Sequence, residues 1–228
     1  DRHVLLDGLA TYWPLRDDES ARERWWLRAA AIAEPQPADY LTAWAETSER
    51  LGECESLALA FSVFDTLTQR LGRAATLESM RELFIEPQDD VRVLLERRPA
   101  KSLAAAGVDF SWLAEAAPAA REHGRERHAD ELARRPMLAA AVDWRNTAGR
   151  GIEIETKLSG AARYAAYYRV LSPWTTDAGE MPRLDVLGAS AVLPLSPSSN
   201  DRVLAAIEVD DEVLDCPVRV LAERLEFR

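Results

Sequence analysis

Apolar residues recur at helical spacing through the first part of the chain and at alternate positions through part of the remainder. The most regular run is Leu57, Ala60, Phe61, Phe64, Leu67 and Leu71. Its 3.6-residue period predicts a helix from about Glu55 to Leu71, closed by Gly72. Before it, Leu5, Leu6, Leu9, Ala10, Tyr12 and Trp13 predict a short helix ending at Pro14, because the residue before a proline disfavours helix. Asp17-Asp18-Glu19-Ser20 places acids at the positive end of a helix dipole and predicts a helix from Ala21 to Ala33, broken by Pro35 and Pro37. Leu41, Trp44, Ala45 and Leu51 predict another from Ala38 to Leu51, with Gly52 as its C-cap.

Beyond Gly72, Thr76 is the expected cap of a helix reaching Phe84 and ending before Pro87. Short helices are expected over Val91–Arg98 and Lys101–Ala106, stopped by Pro99 and Gly107. A further helix, opened by Asp109, is expected to break at Pro118. The polar segment from Ala119 to Arg135 reads as an exposed helix or loop. Past Pro136 the period changes. Ile152 to Leu158 alternates strictly, as a strand with one wet face does. Tyr164 to Leu171 fits either period, and its aromatic residues favour a strand. Val186–Leu195, Arg202–Val209 and Val218–Phe227 are further strand candidates, separated by Pro194, by Pro197 to Asp201 and by Asp210-Asp211. The expected fold is therefore α+β. An N-terminal helical subdomain of antiparallel helices spans residues 1–140, and a small, mostly antiparallel, sandwich-like β domain spans 141–228.

Composition narrows the class. The chain has 228 residues, 47% hydrophobic and 29% charged, which is ordinary for a globular protein. Its formal charge of -11 argues against nucleic acid or an anionic membrane as partner, since both need clustered Lys and Arg. No apolar run approaches the ~20 residues of a membrane span. Cys54 and Cys216, one in each half, do not form a disulfide framework and are expected as buried free thiols. The compartment is left open, with the cytoplasm slightly favoured.

Leu6-Asp7-Gly8-Leu9-Ala10-Thr11-Tyr12 resembles the segment Asn-Glu-Gly-Phe/Leu-Ala-x-Tyr of gluzincin metallopeptidases, the aminopeptidase N-like clan. Ala60 to Gly72, followed by Leu77 to Phe84, is similar to a Leu-rich helix of that family that ends in Leu-Gly and precedes a helix ending in an aromatic. The resemblance implies that residues 1–140 correspond to the C-terminal half of a thermolysin-like catalytic domain. It also implies that Asp7 stands where the family has the Glu that is the third zinc ligand. The histidines of His-Glu-x-x-His are not among these residues, and the resemblance places them upstream, roughly 18–20 residues before Asp7. Zinc then belongs to the parent protein, this chain carries no cofactor of its own, and its first partner is the upstream part of the same polypeptide. Two departures stand out. Asp7 is one methylene shorter than Glu, though aspartate is a competent zinc ligand. Leu57 aligns near the tyrosine that stabilises the oxyanion, and leucine donates no hydrogen bond.

The other chemistry-bearing residues carry less. His3 lies one helical turn before Asp7, and two ligands are too few for a tight zinc site. His123 and His128 are spaced by five with Gly124 between them, not by four, and read as surface histidines. Gly188-Ala189-Ser190-Ala191 lacks the second glycine of a nucleophile elbow. Asp210-Asp211-Glu212 lacks the spaced oxygens of a calcium loop and reads as an acidic turn. Trp25, Trp26 and Trp44 read as core. No catalytic residue is assigned, and substrate-binding residues are unknown. The expected function is the non-catalytic C-terminal portion of a zinc metallopeptidase. The alternative is a helical-plus-β module that binds a protein or peptide and does no chemistry.

Overall fold

The computed structural model describes residues 2–32, 40–85, 90–135, 142–147, 151–156, 163–171, 182–187, 190–193 and 202–224. Pro35, Pro37, Pro87, Pro136, Gly188-Ala189, Lys157-Leu158, Pro194, the segment from Pro197 to Asp201 and the end of the last expected strand lie outside these residues. The fold is α+β, with a helical unit, Asp1–Arg134, and a β unit, Arg135–Arg228.

The helical unit is built around α4, Glu53–Leu71, which has an almost unbroken run of buried residues from Glu55 to Thr68. Among the helices that pack against it are α1 (His3–Leu15), α2 (Glu19–Ala31), α3 (Trp44–Leu51) and α5 (Arg73–Leu83). A helix buried on every side must satisfy its own polar groups. Ser62 Oγ donates to the Leu59 carbonyl at 2.7 Å, Thr66 Oγ1 to Ser62 at 2.7 Å and Thr68 Oγ1 to Phe64 at 3.0 Å. These bonds back along the helix keep hydroxyls inside the core without outside partners.

Local signals set most boundaries. Asp18 caps α2, its Oδ1 accepting from the Ala21 amide at 2.9 Å. Gly52 and Gly72, at φ 81° and 79°, end α3 and α4 and at once begin the next helix. In that backbone region a side chain is strained, so glycine is the suited residue. Gly72, not Thr76, therefore precedes α5; Thr76 lies inside it with Oγ1 on the Gly72 carbonyl. α3 also begins later than expected, at Trp44, after turns at Tyr40 to Ala43. Pro14 does not end α1, which runs one residue further to Leu15. Arg73 ties the start of α5 to the α1–α2 connection by donating to Asp17 at 2.8 Å and to the Arg16 carbonyl. That hydrogen bond holds the Asp17 carboxyl below the usual range.

After a π-helical turn, Val93–Arg97, and α6, Lys101–Ala105, comes α7, Phe110–Arg127. α7 corrects the expected break at Pro118. A mid-helix proline costs about 3 kcal/mol through its missing N–H and its clash. Here the helix continues because Phe110, Leu113, Ala117, Arg121 and Gly124 form one buried stripe against α2 and α4. The segment from Ala119 to Arg127 is therefore the exposed helix of the two alternatives, with Arg121 and Gly124 on its buried side. A short helix, α8 (Ala129–Leu132), follows.

Among the described residues the β unit holds two antiparallel sheets. One has the order β1 (Val142–Thr147), β2 (Gly151–Thr156), β5 (Ser190–Leu193). The other has the order β4 (Arg183–Leu187), β3 (Arg163–Leu171), β6 (Arg202–Asp211), β7 (Cys216–Arg224). β1 was not among the expected strands. The β6–β7 register places Glu208 opposite Arg219, and the two pair at 3.2 Å. Asp211 anchors the hairpin between them. Its Oδ1 accepts from the amides of Val213 and Leu214 at 3.0 and 3.1 Å, and its Oδ2 from Arg135 Nε at 2.9 Å. The acidic run is thus a turn whose central carboxylate is consumed internally.

The expected free thiols are corrected: neither Cys54 nor Cys216 is free, and both are disulfide-bonded.

Candidate functional site

Helix α1 carries the motif, and packing accounts for three of its residues. Gly8 lies where α1 crosses α4. A Cβ there would come within 2.5 Å of the Ala60 carbonyl oxygen and 2.7 Å of Phe64 Cβ, so only glycine allows this approach. One turn on, Tyr12 is buried, with its ring 5.3 Å from Phe64 and 6.3 Å from Phe61. Asp7 lies beside the crossing and is half-buried. Its Oδ2 accepts from the Trp44 indole Nε1 at 2.7 Å, which links the middle of α1 to the first turn of α3. Thr11 Oγ1 donates to the Asp7 carbonyl at 2.8 Å.

Leu57 is half-buried on α4, one turn before Ala60. His3 is exposed at the start of α1. Among the described residues no three His, Cys, Asp or Glu side chains come together as a metal-binding group.

A second polar centre was not anticipated from sequence. A cleft of about 260 Å³ opens between α2, α4 and α7, and the residues that line it include Glu19, Arg22, Glu23, Asp65, His123 and Arg127, with Trp26 and Gln69. Asp65 is 2% exposed. Its Oδ2 accepts from Trp26 Nε1 at 2.8 Å and from Gln69 Nε2 at 2.7 Å. Its Oδ1 has no hydrogen-bond partner; Arg22 Nη1 stands 3.9 Å away. Arg22 Nε is also buried without a hydrogen-bond acceptor. Leaving such a group unmade costs about 1–3 kcal/mol, more when charged. The signal that marks this centre is Asp65 itself, a lone acid inside the apolar run Phe61 to Leu71. Gln69 lies one helical turn on, but Trp26 is 39 residues away and Arg22 lies on the same distant helix, so local spacing finds only one of the partners.

The histidines separate. His123 is exposed beside Glu126 at 3.6 Å. His128 corrects the expectation of a surface residue. Its side chain is only 13% exposed, with Nδ1 2.9 Å from Glu131 and Nε2 3.4 Å from Glu23. Trp26 and Trp44 are buried and each donates its indole N–H to an aspartate, while half-buried Trp25 packs on Phe61 at 6.1 Å.

No helix among the described residues is long and apolar enough to cross a membrane. Comparison with protein-family models, curated proteins and solved structures finds no match to this chain.

Proposed function

We propose that these residues form the non-catalytic C-terminal portion of a gluzincin-like zinc metallopeptidase, in which Asp7 is the third protein ligand of a zinc held by two upstream histidines. The observation that carries the reading is the state of the Asp7 carboxylate. It is half-buried on α1, and one oxygen is held by the Trp44 indole at 2.7 Å. Ligating carboxylates are characteristically oriented by such an outer hydrogen bond. The order of a helical unit before a β unit agrees with the same origin.

The group this site would hold supplies a polarised water for attack on a peptide carbonyl. The residues present do the supporting work. Trp44 orients Asp7, and Gly8 and Tyr12 fix α1 against α4. Leu57, near the oxyanion position by resemblance, offers no hydrogen bond, and losing one such donor lowers rate by roughly 10²–10³. The parent enzyme is therefore weak, altered or inactive, and this chain alone hydrolyses nothing. Incubation of the purified chain with Zn²⁺ and aminoacyl-amide substrates tests the second statement: metal-dependent turnover would refute it.

A second reading is a protein- or peptide-binding module without chemistry. The observation favouring it is that Asp7, Gly8 and Tyr12 all have packing roles that need no metal. A His-Glu-x-x-His upstream of Asp1 in the gene supports the first reading, and its absence the second.

A further inference from the structure

We infer that the cleft between α2, α4 and α7 binds a small zwitterion of the α-amino-acid class, its ammonium on Asp65 and its carboxylate on Arg22. This inference does not depend on the zinc reading, because neither residue belongs to the Leu6–Tyr12 motif. The two groups are complementary. Asp65 Oδ1 is a buried acceptor without a donor, and Arg22 Nε a buried donor without an acceptor, both in one cleft. The Trp26 and Gln69 bonds to Oδ2 fix the Asp65 carboxylate and leave the other oxygen for a ligand.

The surrounding charges select against simpler ligands. A bare cation would meet Arg22 and Arg127, and a bare anion would meet Asp65, Glu19 and Glu23. Arg127 and Glu23 pair with each other at 3.3 Å, whereas Arg22 Nη1 meets Asp65 Oδ1 only at 3.9 Å, too far for a hydrogen bond, so these two are the charges that a guest can hydrogen-bond. The cleft, at about 260 Å³, is just below the usual range for drug-sized ligands and suits a molecule with a short side chain. Trp26 supplies an aromatic wall.

The test is calorimetric titration of the intact chain with each of the twenty L-amino acids, followed by the N-acetyl and carboxamide forms of the best binder. Saturable binding by at least one amino acid is expected. Blocking either pole, or replacing Arg22→Gln, should weaken it about ten- to a hundredfold, the usual worth of a charge-assisted hydrogen bond. Arg22 is about one-third exposed, so R22Q should fold even if Asp65→Asn does not; far-UV circular dichroism checks this. Absence of saturable binding across the panel would overturn the inference. So would binding that survives N-acetylation or R22Q unchanged.

Discussion

The Trp44 indole donates to Asp7 Oδ2 at 2.7 Å, and this bond joins the residue that most resembles a zinc ligand to the buried start of α3. It gives Asp7 a structural role that can be measured apart from any metal. Asp7→Ala leaves a buried indole N–H unpaired and should lower the unfolding free energy by about 1–3 kcal/mol. Asp7→Asn keeps a carbonyl acceptor and should lose less, since a neutral acceptor is roughly half as strong as a charged one. Denaturant unfolding followed by circular dichroism checks the order; equal losses would show that the bond is not what Asp7 contributes.

Gly8→Ala sets two effects against each other. Alanine improves helix propensity by about 1 kcal/mol. The new Cβ would however lie 2.5 Å from the Ala60 carbonyl oxygen, which belongs to the most buried helix and has little room to move. Overpacking of this kind costs typically 1–3 kcal/mol, and more against backbone. Net destabilisation is expected, seen as a lower denaturant midpoint for the helical unit. A stabilised variant would mean that α1 and α4 are not in this close contact.

Tyr40 contributes to stability on the alkaline side. Burial raises its pKa above the ordinary 10.0, only partly opposed by the Arg121 guanidinium 5.4 Å from the ring. A group raised in the folded state contributes stability that is complete below its unfolded pKa and is lost as pH climbs toward the folded value. Stability should therefore fall above about pH 10, by at most roughly 1.4 kcal/mol per pH unit from this residue. Tyr40→Phe should flatten that fall in unfolding measured from pH 9 to 11. An unchanged slope would contradict the assignment.

Thiol chemistry gives a direct check on Cys54 and Cys216. With both disulfide-bonded, a thiol reagent should label neither cysteine in denaturant without reductant, and both after reduction. Labelling before reduction would contradict the structure.

Legibility from sequence followed the range of the interactions. α4 was plain because its apolar period is local, and the start of α2 because the Asp18 cap acts over three residues. Pro118 misled because the helix around it is held by a buried stripe against α2 and α4, which no local rule sees. Thr76 misled because Gly72 does two jobs at once, closing α4 and opening α5. β1, with Asp-Trp-Arg-Asn at its centre, has too little apolar alternation to announce a strand. The Asp65 cleft was hidden for a similar reason: its geometry depends on Trp26 and Arg22, brought from a different helix. Asp7 was singled out only through resemblance, and the Trp44 indole that bonds it was not legible at all.

The most direct test of the zinc-ligand reading is the zinc content of the gene product extended upstream of Asp1, with and without Asp7→Ala, under matched dialysis and with folding checked by circular dichroism. About one zinc per chain is expected for the unaltered protein, as in a site of three protein ligands and water. Most of it should be lost in Asp7→Ala without loss of helix content. A protein that binds no zinc, or that holds it equally well without Asp7, would contradict the account.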